Sequence, residues 1–157
     1  MRRASATRVA VLAIGCMLTG CAGSGGGGGQ PTPTCKSQVP GNPVSFAANI
    51  QPIFARSCAL AGCHITPTLN GGLDMSAAHS YRQLVGVPAQ QQPRVRRVKP
   101  GDPDNSYLFQ KIVGASTISG VLMPQGCPAT PLNGARCLTP DEIDAIRTWI
   151  LECAPKN

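Results

Sequence analysis

The segment Cys-Ala-Leu-Ala-Gly-Cys-His at residues 58–64 brings together two thiols and an imidazole. Two thiols can add to the vinyl groups of haem as thioethers, and a histidine directly after the second cysteine can coordinate the iron. The same cysteines can instead form a local disulfide, with His64 as an exposed bystander. Zinc is a third alternative, but it needs a fourth ligand beside Cys58, Cys63 and His64, for which His79 is the candidate.

The cysteine spacing constrains the backbone around this motif. Four residues separate Cys58 from Cys63, whereas the usual haem attachment motif has two between its cysteines. Residues five apart lie about 140° apart around a regular helix, so the helix must end or bulge between the cysteines. Gly62 and the small residues Ala59 and Ala61 permit that break.

A second iron ligand would come from outside the motif, and the candidates are Met123, Met75 and His79. Met123 lies in the loop "GVLMPQG", well after the motif and before the last predicted helix. Met75 resembles a core position and His79 a surface helix position. Without the cysteine motif, Met123 would be interpreted as core packing, the usual role of methionine.

The elements that must position these residues are predicted to be helices. Apolar spacing predicts a first helix near residues 45–58 with Ser45 as its N-cap, and others over 76–85 and 106–113. The last helix has the clearest signal, because Thr139, Pro140 and Glu142 form a capping box with proline in the first turn. No strand signal is visible. The sequence predicts an all-α domain over residues 44–157, with long loops wrapped around an apolar group.

Composition indicates that this domain needs covalent support. The chain has 157 residues, 33 of them Gly or Pro, few aromatics and eight cysteines. A small core of this kind is usually stabilised by disulfides, a metal or a cofactor.

Residues 1–20 have the layout of a secretory signal peptide. Three arginines precede an apolar run over residues 9–18, which is too short to span a bilayer. The next residues, Leu-Thr-Gly-Cys at 18–21, resemble a bacterial lipobox, which implies that Cys21 is the lipidated first residue of the mature chain. Ordinary cleavage at Ala or Gly and a retained anchor are the alternatives.

The residues after Cys21 indicate where such a lipoprotein would lie. Ala22 stands where an inner-membrane retention signal has Asp, so we expect the outer membrane, facing the periplasm. Residues 21–43 are rich in Gly and Pro and are predicted to be a tether.

Six motifs in order resemble the mono-haem cytochromes c, and more narrowly the cytochrome c-like domains of bacterial exported proteins. They are "QPIF" at 51–54, "CALAGCH" at 58–64, "GGLDM" at 71–75, "KPGDPDNSYL" at 99–108, "LMP" at 122–124 and "LTPDEIDAIRTWI" at 138–150. The resemblance covers about residues 46–151. It implies one covalent haem c on Cys58 and Cys63, with His64 as proximal and Met123 as distal ligand. It also implies that the first and last helices cross near Trp149.

The chain departs from that pattern in its cysteines. Besides the stretched spacing, it has Cys153 after "WI" and two further cysteines in the loop after Met123. An oxidising compartment favours pairing of the four remaining cysteines, which allow three connectivities. We prefer Cys127–Cys137 as a local loop, with Cys35–Cys153 joining the tether to the last helix.

The sequence thus predicts a lipid-anchored carrier of single electrons and not an enzyme. Its partners would be redox proteins at the membrane, with no nucleic acid and no small-molecule substrate. Removing the signal peptide lowers the formal charge from +7 to +4, and the basic run at 94–99 is interpreted as a solvated loop rather than a docking patch for an acidic partner. The rival predictions are a haem-free disulfide-stapled structural or binding lipoprotein, and a haem enzyme or ligand sensor in which Met123 does not bind iron.

Overall fold

The first helical segment begins where the sequence places its N-cap. In the computed structural model, which describes residue 35 and residues 43–157, Ser45 Oγ accepts a hydrogen bond from a backbone N–H three residues later at 3.1 Å. A π-helical turn, Phe46–Ile50, leads into helix α1, Gln51–Ser57. Pro52 lies in the first turn of α1, where its missing N–H costs no intrahelical bond. Cys58 is the C-cap of α1, so the helix ends before the cysteine motif and not within it.

The two middle helices are short. Helix α2, Ser80–Leu84, covers only part of the 76–85 segment predicted as helical. Helix α3, Tyr107–Val113, confirms the prediction over 106–113 to within one residue. It ends at Gly114, whose φ of 68° is the left-handed conformation that glycine adopts without steric cost.

The last helix, α4, spans Pro140–Leu151 and confirms the prediction from its capping box. Thr139 Oγ1 accepts the N–H of Glu142 at 3.3 Å, and a Glu142 carboxylate oxygen accepts the N–H of Thr139 at 2.9 Å. These reciprocal bonds satisfy backbone donors that the first turn of a helix leaves unpaired.

The prediction of an all-α domain is wrong, because the described residues also contain a two-stranded antiparallel sheet. Strand β1, Pro88–Ala89, pairs with strand β2, Gln92–Arg96, with an irregular register between Pro88 and Ala89. No strand signal is visible in this segment of the sequence, because β2 has no buried position and therefore lacks the alternation of apolar and polar residues that marks a half-buried strand. Hydrogen bonds to the neighbouring helices flank the hairpin instead: Val98 N donates to Leu84 O of α2 at 3.0 Å, and Leu108 N of α3 donates to Arg97 O at 2.9 Å.

The core lies between the first helical segment and α4. Trp149 packs against Phe46 with ring centroids 5.3 Å apart, and Tyr81 contacts Phe46 at 5.1 Å. The prediction that Trp149 lies at the contact between the first and last helical segments is confirmed by this packing. Other buried side chains of the same cluster are Ile50, Ile53, Phe54, Met75, Leu84, Val98, Phe109, Ile112, Ile146 and Ile150.

The predicted N-terminal features lie outside the described residues. These are the signal peptide over 1–20, the lipidation site Cys21 and the tether over 21–43, apart from Cys35 and Pro43. No helix within residues 43–157 is long and apolar enough to cross a bilayer.

Candidate haem cavity

A cavity of about 440 Å³ collects the residues that the sequence assigned to haem. Cys58, Cys63, His64 and Met123 all line it. Its volume falls in the range of about 300–1,000 Å³ typical of small-molecule and cofactor sites. Much of the wall is apolar, contributed by Leu73, Leu84, Ala89, Leu108, Ile112, Val121 and Leu132.

Backbone hydrogen bonds fold the cysteine motif into a compact turn. Cys63 N donates to Leu60 O at 2.9 Å, and His64 N donates to Cys58 O at 3.2 Å. Gly62 has a φ of +81°, and a Cβ there would lie 2.8 Å from the Asn133 side chain. The left-handed backbone of the turn therefore favours glycine at this position, whereas the Asn133 amide lies at the end of a flexible side chain that can move.

The ring of His64 is held by a backbone carbonyl. His64 Nδ1 lies 2.8 Å from Asn70 O, and because a carbonyl only accepts, Nδ1 carries the proton and donates. Nε2 is then the unprotonated nitrogen, the form that binds a metal. Burial lowers the pKa of His64 although the bond to Asn70 acts in the opposite direction, so the imidazole is neutral at pH 7.

Cys58 and Cys63 carry no disulfide in this structure. Burial, with a smaller contribution from the neighbouring Cys63, raises the pKa of Cys58 to about 12. The Cys58 thiol is therefore uncharged at pH 7. Among the described residues, no group of three or more His, Cys, Asp or Glu side chains is arranged to hold a metal ion.

The two methionines both line the cavity but are held by different parts of the chain. Met75 N donates to His64 O at 2.7 Å, so its backbone adjoins that of the histidine. Met123 N donates to Lys111 O on α3 at 2.9 Å. Met75 also belongs to the buried core, which confirms its predicted core position. His79 lies outside the cavity wall, where its Nδ1 contacts the Asp74 carboxylate.

Both preferred disulfides are present. The Cys127–Cys137 disulfide joins cysteines that are ten positions apart in the sequence. The Cys35–Cys153 disulfide joins residue 35 to the segment after α4. The loop closed by Cys127–Cys137 lies directly after Met123 and also supplies Leu132, Asn133 and Ala135 to the cavity wall. The disulfide therefore constrains one side of the cavity.

The sequence interpretation missed a polar side of the cavity. Lys111 Nζ donates to Ser119 O at 2.9 Å, and Tyr107 Oη donates to Gln91 Oε1 at 2.9 Å. Lys111 follows Tyr107 by four residues and so shares its helix face, which is the sequence signal that places the two side chains side by side.

Arg97, interpreted as part of a solvated loop, also lines the cavity. Its guanidinium donates to the carbonyls of Gln83, Gly71 and Gly72 at 2.9, 2.9 and 3.0 Å. No residue pattern in the basic run indicated this inward position.

The chain matches no family model, no curated protein and no solved structure.

Proposed function

We propose that this chain is an exported lipoprotein that carries single electrons on one covalently bound haem c. The observation that carries the proposal is the convergence of Cys58, Cys63, His64 and Met123 on one cavity. These residues span 66 positions of the chain, so their meeting depends on the fold and not on sequence proximity.

The cysteine chemistry fits covalent attachment. Each thiol would add across one vinyl C=C bond, so that a C–S and a C–H bond form while the S–H and π bonds are lost. This addition is redox-neutral and needs no oxidant. Cys58 and Cys63 fit it because both are unpaired thiols on the cavity wall.

The histidine fits the proximal position. Metal-binding histidines usually donate their second ring nitrogen to a carbonyl or carboxylate, which fixes the tautomer and the ring orientation. His64 makes this bond to Asn70 O. When bound, haem supplies a one-electron Fe(III)/Fe(II) couple whose potential depends on the axial ligands, burial and hydrogen bonding.

Met123 is the better-supported distal ligand. Met75 is packed in the core and its backbone N–H is bonded to the His64 carbonyl, whereas Met123 lies in a separate loop whose backbone is bonded to α3 and would be the residue that holds the iron together with His64. If His64 and Met123 both hold the haem iron, the haem would supply electron transfer and not substrate binding. We therefore propose a carrier, which takes one electron from a reduced protein partner and gives it to an oxidised one, rather than an enzyme.

The site of action follows from the N-terminal sequence. A lipid on Cys21 at the outer membrane, facing the periplasm, would keep the carrier near membrane-bound redox partners and raise its effective concentration there.

A spectroelectrochemical titration of mature protein from a host that assembles cytochromes c tests the proposal. We expect one reversible one-electron transition, low-spin spectra in both oxidation states and no rapid binding of carbon monoxide. Protein without haem absorbance would overturn the proposal in favour of a structural or binding lipoprotein. A high-spin spectrum with ready carbon monoxide binding would overturn it in favour of a haem enzyme or ligand sensor.

A further inference from the structure

Asn133 brings a side-chain amide to the second cysteine of the stretched motif. Its Nδ2 lies 3.5 Å from Cys63 Sγ, in a hydrogen bond in which the amide donates and the sulfur accepts. The sulfur of a thiol is a weak acceptor, and so is the sulfur of a thioether. The contact is therefore compatible with Cys63 both before and after a thioether bond forms.

The backbone of Asn133 is fixed within its loop. The residue lies in the short 3₁₀ turn Leu132–Gly134 with a φ of 55°, a left-handed conformation that asparagine adopts more readily than most residues. Ala135 N donates to Leu132 O at 3.0 Å, and the Cys127–Cys137 disulfide closes the loop. Rotation about two side-chain bonds remains, and the hydrogen bond to the cysteine sulfur selects one orientation of the amide.

A second asparagine holds the backbone around Cys63. Asn70 Nδ2 donates to Gly62 O at 2.9 Å, and Asn70 N donates to Cys63 O at 3.1 Å. Cys63 is therefore fixed through its backbone by Asn70, and Asn133 adds a contact to its sulfur.

The stretched spacing explains why the second thiol needs support of its own. Cys58 is the C-cap of α1, and Cys63 follows in a turn and not on the same helix. Cys58 packs against the hydrophobic core, whereas Cys63 does not belong to that cluster. The positions of the two thiols therefore depend on different contacts.

We propose that Asn133 is a positioning residue for covalent attachment of haem at Cys63, and that the loop closed by Cys127–Cys137 supplies it. The inference rests on the proposed function, because it concerns attachment of the same cofactor. The Cys63 S–H adds across one vinyl C=C bond, so that a C–S and a C–H bond form while the S–H and π bonds are lost. Asn133 gives up no proton in this addition. Its amide keeps the sulfur at the cavity wall, which both residues line.

The test compares Asn133→Gly with the wild type, both exported from a host that matures cytochromes c. Glycine keeps the left-handed backbone but removes the amide. Each protein is denatured without reductant, treated with iodoacetamide and mapped by mass spectrometry, so that a thiol without a thioether bond is labelled. We expect the ratio of protein attached through Cys58 alone to doubly attached protein to rise about fivefold, the factor that corresponds to one hydrogen bond. In the singly attached fraction the α band of the pyridine haemochrome should lie at longer wavelength, because one vinyl group stays conjugated with the ring.

Two further variants separate the amide from the shape of the loop. Asn133→Asp keeps the size of the side chain and adopts the left-handed backbone, but its carboxylate has no proton to donate at pH 7. It should therefore behave like Asn133→Gly. Thr130→Ala changes an exposed side chain of the same loop that does not line the cavity, and it should leave the ratio at the wild-type value.

The results distinguish this inference from the proposed function. Wild-type protein without covalent haem overturns both. Haem-loaded wild type together with an unchanged ratio in Asn133→Gly, or with label spread equally over Cys58 and Cys63, overturns the inference alone. If Asn133→Gly does not accumulate, Asn133→Asp decides: a raised ratio with the label on Cys63 supports the role of Asn133, and an unchanged ratio overturns it.

Discussion

At the scale of single residues, Met123 and Met75 should differ in whether leucine can replace them without loss of function. Met75 is buried in the core and touches the cavity as part of that packing, whereas Met123 is only partly buried in a loop. A ligand role explains a methionine at Met123 better than at Met75, because leucine could fill the core position of Met75 with little change in volume.

Replacing each methionine by leucine separates these roles. We expect Met123→Leu to give a high-spin ferric spectrum and rapid carbon monoxide binding, since the thioether ligand is lost. Met75→Leu is the control and should keep a low-spin spectrum, with a loss of stability under about 1.5 kcal/mol. A low-spin Met123→Leu protein together with a high-spin Met75→Leu protein would assign the ligand to Met75 instead.

Asp74 is expected to contribute to stability, and it does not line the cavity. Ser76 N donates to Asp74 Oδ1 at 2.9 Å, and His79 contacts the other carboxylate oxygen. Hydrogen bonds from Ser76 and then from His79 lower the pKa of Asp74 from 3.8 to about 2. The carboxylate therefore organises the segment that leads into α2.

The lowered pKa of Asp74 determines how the stability of the protein changes with pH. A group with a lowered pKa in the folded state contributes its full stability above the unfolded value of 3.8 and loses it as the pH falls through about 2. We expect Asp74→Asn to be less stable at pH 7 and to show a flatter loss of stability between those two values. Asp104→Asn, at an exposed position, is the control. Denaturant unfolding at pH values across this range measures the free energy of unfolding. The role of Asp74 would be contradicted if both variants lost stability with falling pH as steeply as the wild type.

At the scale of elements, the loop after α3 combines Met123 with the Cys127–Cys137 disulfide. Leu132 N donates to Gln125 O at 3.0 Å, and Arg136 N donates to Arg56 O at 3.2 Å, which ties the loop to itself and to α1. A bond closing a loop of this length stabilises by about 3 kcal/mol in the chain-entropy account. The disulfide should therefore help to keep Met123 in place.

Removing that disulfide tests whether it supports the methionine. We expect the paired change Cys127→Ser and Cys137→Ser to weaken the Met–iron bond, seen as faster carbon monoxide binding and a diminished methionine–iron charge-transfer band. The control is the pair Cys35→Ser and Cys153→Ser, which removes a disulfide outside this loop. A ferric spectrum equal to that of the wild type in the first pair would count against the coupling.

Helix α4 depends on its first turn. Glu142 joins the capping box and also pairs with Arg56 and Arg136, so it connects α4 to α1 and to the loop. Burial alone would raise the pKa of Glu142, but hydrogen bonds from Thr139 and Arg56 and the two arginine charges lower it overall. The carboxylate is thus ionised at neutral pH and available to all three partners.

The N-cap hydrogen bond of α4 should make a measurable contribution to the free energy of unfolding. Thr139→Ala should reduce the free energy of unfolding by about 1 kcal/mol, because the N–H of Glu142 loses its acceptor. Asp144→Ala on the exposed side of the same helix should change it by less than about 0.5 kcal/mol. Urea unfolding of the haem-loaded proteins measures both, and equal effects would argue against the cap.

At the scale of the whole molecule, the C-terminal residues close onto the first helical segment. Trp149 Nε1 donates to Pro155 O at 3.0 Å, and Tyr81 Oη donates to Ala154 O at 2.9 Å. Asn157 accepts hydrogen bonds from the backbone of Phe46 through its side chain and of Ala47 through its carbonyl. Cys153, beside this region, carries the disulfide to Cys35.

Two of the features that the sequence predicted correctly have local causes. The cap of α4 involves residues three apart, and the loop disulfide joins cysteines ten apart, so both were predictable. The hairpin was not, because its pairing depends on hydrogen bonds that connect it to the ends of α2 and α3. Arg97 could not be placed for the same reason: only the folded chain brings its guanidinium to the carbonyls around Gly71.

Intact mass together with a denaturing-gel haem stain determines whether the stretched motif at residues 58–64 attaches haem. The protein should be exported from a host able to mature cytochromes c. We predict a mass increase of one haem that persists under denaturation and disappears when Cys58 and Cys63 are both changed to Ser. A mass without haem, and with two hydrogens missing between Cys58 and Cys63, would show a disulfide there and contradict the proposed electron carrier.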